Sequence, residues 1–327
     1  MGDCGGAADL NGVDKSQATR LKGGAIAGIL IASALGVAIP LLGRKFRFLR
    51  VEGRPFVVAK SFAAGVILAT GFVHILGEAS ERLQSECLPE MPWHKFPWTG
   101  FIAMMSVFLT LVVDAVGTEY YERKHGVFMG HGHGALESAS SRVAVDNKTI
   151  DEEKNTLDFA QREKETEHLR HVVISQVLEL GIIAHSVIIG ISLGVSDTPS
   201  SIRPLFAALC FHQFFEGIAL GGCIAQAGFK RVASFLMATF FALTTPFGIA
   251  LGIGIASSYN ENSQSSLIVQ GLFDAISAGI LIYMALVDLI AHDFLGKRMK
   301  GDRRLQAMCY TALFAGATAM SALAIWA

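Results

Sequence analysis

Long apolar stretches separated by short charged connections set the pattern of this chain. Eight stretches stand out, at 21–43, 55–78, 98–121, 170–194, 203–228, 232–257, 266–291 and 304–326. A bilayer core about 30 Å thick is crossed by a helix of roughly 20 mostly apolar residues, and each stretch meets that demand. Lipid cannot satisfy free backbone amides and carbonyls, so each stretch is expected to be helical. The pattern therefore predicts an all-α polytopic membrane protein with eight transmembrane helices. Glycines recur at close spacing, as in Gly23, Gly24 and Gly28, or Gly248, Gly252 and Gly254. Small residues of this kind let helices approach closely in lipid. Pro246 predicts a kink or a local break in the sixth stretch.

The connections differ in charge. The first carries Arg44, Lys45, Arg47, Arg50 and Arg54; the fifth carries Lys230 and Arg231; the seventh carries Lys297, Arg298, Lys300, Arg303 and Arg304. The second sets Arg82 and Lys95 against Glu81, Glu86 and Glu90, the fourth has only Arg203, and the sixth has no cation. The positive-inside rule makes the odd-numbered connections cytoplasmic and puts both termini outside or in a lumen. The third connection opens with GVFMGHGHG, passes through a serine-rich stretch and ends in DEEKNTLDFAQREKETEHLR. Its glycines predict flexibility, and its charged end predicts a polar helix leading into the fourth span. The expected organisation is an extracellular or lumenal tail over 1–20, helices 1–3 over 21–121, a cytoplasmic His-containing variable loop over 122–169, and helices 4–8 over 170–327. The first twenty residues are polar and lack the apolar core of a signal peptide. The expected location is the plasma membrane, with multiple passes.

Composition agrees with this reading. Hydrophobic residues make up 52% and charged residues only 17%, where a soluble domain carries about 25% charged. The net charge is −1 and arises from separated patches, which excludes an electrostatic case for nucleic-acid binding. The five cysteines form no CxxC pair and no disulfide-framework spacing. The partners expected are the lipid bilayer and small ions, and the reading allows a homodimer.

Ionisable side chains inside membrane helices are costly, so each is a functional candidate. The fourth stretch places His185 near its middle, and the fifth places His212 and Glu216 there. His212 and Glu216 are four apart and share one helix face. The two spans are joined by a short loop, and counting from it puts His185 and His212 at matching depth. Two imidazoles and a carboxylate at the midplane suit Zn²⁺, Fe²⁺ or a related ion, and Gln213 and Ser186 can add oxygens. A lone histidine in such a helix is as often a helix-to-helix hydrogen-bonding residue. Further polar groups suggest a path: His74, Glu78 and Asp274 towards the outside, and Asp114, Glu179, Asp288 and His292 in the inner halves. Salt bridges, caps and interfacial anchors are equally natural readings of these. His125, His131 and His133 sit among glycines in the third connection, where they can meet a metal without a preformed pocket or simply be solvated. A zinc enzyme is a rival reading, but HSVII replaces the HExxH a protease would show, and no glutamate stands ready as base. An organic-solute carrier would want an apolar pocket with few fixed charges.

HSVIIGISLG at 185–194 and HQFFEG at 212–217 resemble the signatures of the ZIP (Zrt/Irt-like protein) metal transporters, especially the plant-type branch. The similarity extends over nearly the whole chain and includes GFVHILGEA at 71–79, DAVGTEYYERKHG at 114–126, the HGHG loop and GILIYMALVDLIAHDF at 279–294. It implies two inverted three-helix repeats, spans 1–3 and 6–8, around the central pair 4–5. It implies carriage of a divalent metal as substrate towards the cytoplasm, most of all Zn²⁺, with Fe²⁺, Mn²⁺ and Cd²⁺ as further cargo, and no organic cofactor. His185, His212 and Glu216 match the family's metal-binding positions. Some members have Asn and Glu where this chain has Ser186 and Ile189, and Asp where it has Gln213; those carboxylates bridge a second metal. Their absence implies a single-metal site.

The charge rule puts Cys4 and Cys87 on the outer side, and Cys210, Cys223 and Cys309 within helices. Disulfides persist in oxidising compartments. A bridge between Cys4 and Cys87 would tie the tail to the mouth of the pathway; a free tail cysteine or a cross-link between two copies are the alternatives.

Overall fold

The apolar stretches fold as helices whose ends, apart from the start of the fourth, fall close to the hydropathy boundaries. A computed structural model of the chain describes residues 15–43, 53–124, 148–256, 263–295, 299 and 301–325. Among these lie α1 (Lys15–Leu42), α2 (Arg54–Leu83), α3 (Trp98–Lys124) and α4 (Lys148–Val195). They are followed by α5 (Pro199–Gln226), α6 (Arg231–Ile255), α7 (Gln264–Leu295) and α8 (Arg303–Leu323). Helices α1 to α7 each contain a window long and apolar enough to cross a membrane. Helix α8 has 21 residues, about 31 Å at about 1.5 Å per residue. Its apolar run is diluted by Gln306, Tyr310, Thr311 and Ser321. Helix α4 begins well before the apolar stretch, so the charged end of the third connection and the fourth span form one continuous helix. His125, His131, His133 and Cys4 lie outside the described residues.

Two helices depart from regular α geometry. The backbone widens to i→i+5 bonding over Thr70–Ile75 in α2 and over Met284–Ala291 in α7. Single wide turns of this kind are frequent at functional sites. Helix α6, by contrast, runs unbroken through Pro246, so of the kink or break expected there the break does not occur. A tight seam with α4 clamps it on both sides of the proline. A Cβ on Gly190 would lie 2.7 Å from the Thr245 carbonyl oxygen, and one on Gly248 2.7 Å from that of Val187.

The packing follows an exchange of helices. Helix α1 lies along α5 as α6 lies along α4; α2 lies along α8 as α7 lies along α3; α2 touches α5 as α7 touches α4. Exchanging α1 with α6, α2 with α7, α3 with α8 and α4 with α5 maps each pair onto another. An odd number of crossings separates each helix from its counterpart, so the two three-helix groups run in opposite senses. Glycines make the seams close: Gly217 meets Gly36 and Val37 on α1, and Gly316 meets Phe62 on α2. Among the windows of α1 to α7, that of α5 is the most enclosed and that of α3 the most exposed. Helix α5 therefore carries its polar residues into the centre of the bundle.

Candidate metal site

The site grows from three helices. His212 and Glu216, one turn apart on α5, are both fully buried. The opposite seam of that helix, Gly217 and Gly221, presses on α1 and fixes which side faces inward. His185 and Ser186 come from α4, where Gly181, one turn before His185, packs against Ile280 of α7. His74 comes from the wide turn of α2 and is 5% exposed. The three imidazole rings form a triangle. The centroids of His185 and His212 are 5.9 Å apart, those of His74 and His212 6.0 Å, and those of His74 and His185 6.4 Å.

These groups are buried without protein partners. Both ring nitrogens of His185 and of His212, both carboxylate oxygens of Glu216, the Ser186 hydroxyl and the Gln213 amide nitrogen have no hydrogen bond. Each buried, unsatisfied polar group costs roughly 1–3 kcal/mol, and a charged one more. A packed membrane core retains such a set only where something supplies the missing partner. Imidazole nitrogen and carboxylate oxygen are the donor types that borderline divalent ions take. Among the described residues no three His, Cys, Asp or Glu side chains stand close enough together to hold one ion.

Polar side chains lead away from the cluster. His74 Nε2 lies 3.4 Å from Glu78 Oε1, Glu78 pairs with Arg82 at 3.0 Å, and Arg82 reaches Asp274 on α7. Asp114 accepts a hydrogen bond of 3.0 Å from the Tyr283 hydroxyl. Asp288 is buried in the wide turn of α7. His292 Nδ1 lies 3.3 Å from Asp293, while Glu179 is half-buried on α4. The sequence-expected residues thus divide. His74 joins His185 and His212, whereas Glu78 and Asp274 are held together by Arg82.

Sequence reading missed Lys60, Asp293 and the inward role of Arg82. Lys60 is 3% exposed within α2, and its Nζ lies 3.1 and 3.0 Å from the two carboxylate oxygens of Asp293. The signal was available, because a lysine inside an apolar stretch is itself a candidate. Cys87 is disulfide-bonded, whereas Cys210, Cys223 and Cys309 are not in disulfides.

Comparison with known proteins gives this arrangement its setting. The family model for the ZIP zinc transporters matches residues 19–324. The chain is 50% identical to "Zinc transporter 7" of Oryza sativa subsp. japonica, over 96% of this chain and 90% of the relative. It is 47% identical to "Fe(2+) transport protein 1" of Arabidopsis thaliana, over 99% and 91%. It is 46% identical to "Fe(2+) transport protein 3, chloroplastic" of the same plant, over 96% and 87%. A match that covers almost all of the chain, on a bundle of membrane-spanning helices around buried histidines, places this protein in the ZIP zinc transporter family.

Proposed function

We propose that the chain carries a divalent transition metal, Zn²⁺ first, with Fe²⁺, Mn²⁺ and Cd²⁺ as further cargo, into the cytoplasm. His185, His212 and Glu216 bind it at the midplane as a single-metal site, His74 adds a third imidazole, and Gln213 and Ser186 add oxygens. The observation that carries this reading is the set of buried, unpartnered donors at the centre of a membrane-spanning bundle. Zn–N bonds are about 2.0–2.1 Å long, so loading draws the rings inward from their present spacing. The protein sits in the plasma membrane with both termini outside, where the rule of cationic cytoplasmic connections puts them. Glu78 and Asp274 receive the ion on the outer side, and Asp114, Glu179, Asp288 and His292 conduct it inward. His125, His131 and His133 catch released metal on the cytoplasmic loop.

Uptake by purified protein in liposomes, across a panel of divalent ions, tests the reading. His212→Ala and Glu216→Ala are expected to bring uptake to background while the protein stays folded. Normal uptake by both variants sinks the assignment. A bound-metal ratio near two at this site, with residues 128–134 deleted, rejects the single-metal form.

A further inference from the structure

Two ion pairs join α2 to α7, one on either side of the imidazole cluster. Both cations stand on α2 and both acceptors on α7. Arg82, near the end of α2, pairs with Asp274 near the start of α7; Lys60, near the start of α2, pairs with Asp293 near the end of α7. His74 lies between Lys60 and Arg82 in the chain. The Lys60 pair is bidentate and sunk in the bundle, and His292 touches the same carboxylate. Asp288 and the buried Cys223 of α5 lie within electrostatic reach of the ammonium.

Helix–helix adhesion alone is a weak reason for such a pair. A buried ion pair is often no more stabilising than a well-packed apolar one. What this pair adds is a fixed positive charge among carboxylates at one end of a route for positive ions. Asp293, Asp288, His292 and Cys223 are side-chain types that a divalent ion also uses. Among the described residues they form no metal centre with Lys60 in place.

We infer that Lys60 is a tethered cation that closes the end of the route at the α1–α2 connection by occupying Asp293, and that passage of the ion requires exchange of the ammonium for the metal. This rests on the carriage proposed above. The exchange is ionic: the lysine swings off the carboxylate as the metal takes its place. Arg82 plays the corresponding part at the opposite end, through Asp274 and Glu78. The two closures share the same two helices, so one can open while the other stays paired.

Cys223 is a native reporter, because it is buried beside Lys60 and belongs to the end of α5 on the same side. The full chain is reconstituted in sealed vesicles without metal and treated with a charged, membrane-impermeant thiosulfonate on one face at a time. Peptide mapping separates Cys223 from Cys210 and Cys309. With Lys60→Gln, modification of Cys223 from the α1–α2 face is expected to rise at least about tenfold, with no change from the other face. The swap Lys60→Asp with Asp293→Lys restores the pair and returns the rate to that of the unaltered protein. Where Lys60→Gln fails to fold, the uncharged pair Lys60→Met with Asp293→Leu takes its place with the same expected rise. A folded variant in which Cys223 stays as slow as before overturns the inference, and so does a folded swap that stays open. Labelling needs no metal, so absent zinc uptake by the unaltered protein refutes carriage and leaves this result standing.

Discussion

Glu216 is a carboxylate with no exposure and no hydrogen-bond partner among the described residues. Burial without a partner is steeply unfavourable for an ionised group, so this position costs stability whenever no cation neutralises it. Glu216→Gln keeps the shape and removes the charge. The variant is expected to be more heat-resistant when empty and to lose the gain that zinc gives. For the unaltered protein that gain is about 2.7 kcal/mol at a hundredfold excess over Kd. Thermal unfolding in detergent, with zinc and with a chelator, reads both effects; an unaltered protein with no zinc-dependent shift contradicts the argument. The His212 and Glu216 pair was legible because four residues make one helical turn, and His185 because a short loop sets its depth. Counting does not join His74 to that pair. Its polar sequel, with Glu81 and Arg82, reads as a connection, which sets the expected end of the span at 78. The helix continues to Leu83, because Arg82 finds Asp274 on another helix and is neutralised there. A partner so distant in the chain leaves no local signal. Lys60 did leave one, while its acceptor Asp293 lies just past the expected end of the seventh span.

Among the elements, the two glycine seams carry the firmest expectation. A Cβ at position 248 would lie 2.7 Å from the Val187 carbonyl oxygen and 3.1 Å from the Gly190 Cα. Backbone atoms cannot yield as a flexible side chain can, so α4 and α6 must part. Gly248→Ala is expected to lower stability by about 1–3 kcal/mol. Gly217→Ala, whose Cβ would lie 2.9 Å from the Val37 amide nitrogen, is expected to do the same between α5 and α1. Gly254→Ala has open space on α6 and serves as the control, with unchanged or higher stability. Thermal midpoints of the purified variants decide the matter, and equal loss at 248 and 254 would contradict the seam. The start of α8 makes a separate prediction. Asp302 caps it, accepting 3.1 Å bonds from the amides of Arg304 and Leu305, and pairs with Arg54 at 2.6 Å. The Leu305 amide, followed by the charge of Arg54, holds its carboxyl below the usual range. A lowered value means the cap is fully present above the ordinary carboxylate range and is lost as pH falls through the folded value. Protection of the Arg304 and Leu305 amides, relative to their intrinsic exchange at each pH, should therefore fall only in acid, whereas Asp302→Ala lowers it at every pH. The wide turns of α2 and α7 were not legible, since residues that form i→i+5 bonds resemble those that form i→i+4 bonds.

At the scale of the molecule, the hydropathy pattern located the eight long helices of the described residues but not their partners. Cys87 follows α2 and is disulfide-bonded, and disulfides persist in oxidising compartments. On intact cells an impermeant maleimide should label Cys87 only after reduction; labelling before any reductant contradicts an oxidised outer connection. The exchange of helices has a consequence for how the protein is made. Helix α1 finds its close neighbours in α5 and α6, α2 in α7 and α8, and α3 in α7, while α1 and α2 pair little with each other. Gly65 waits for Leu313, and Gly36 for Phe214. The ribosome therefore delivers half a bundle whose seams face lipid until the second half arrives, and contacts so distant in the chain form late. A nascent chain stopped before α8 has its other helices inserted but the long face of α2 uncovered. Protease resistance of stalled chains should rise in one late step, when the last helix leaves the exit tunnel, and not gradually as each span is added.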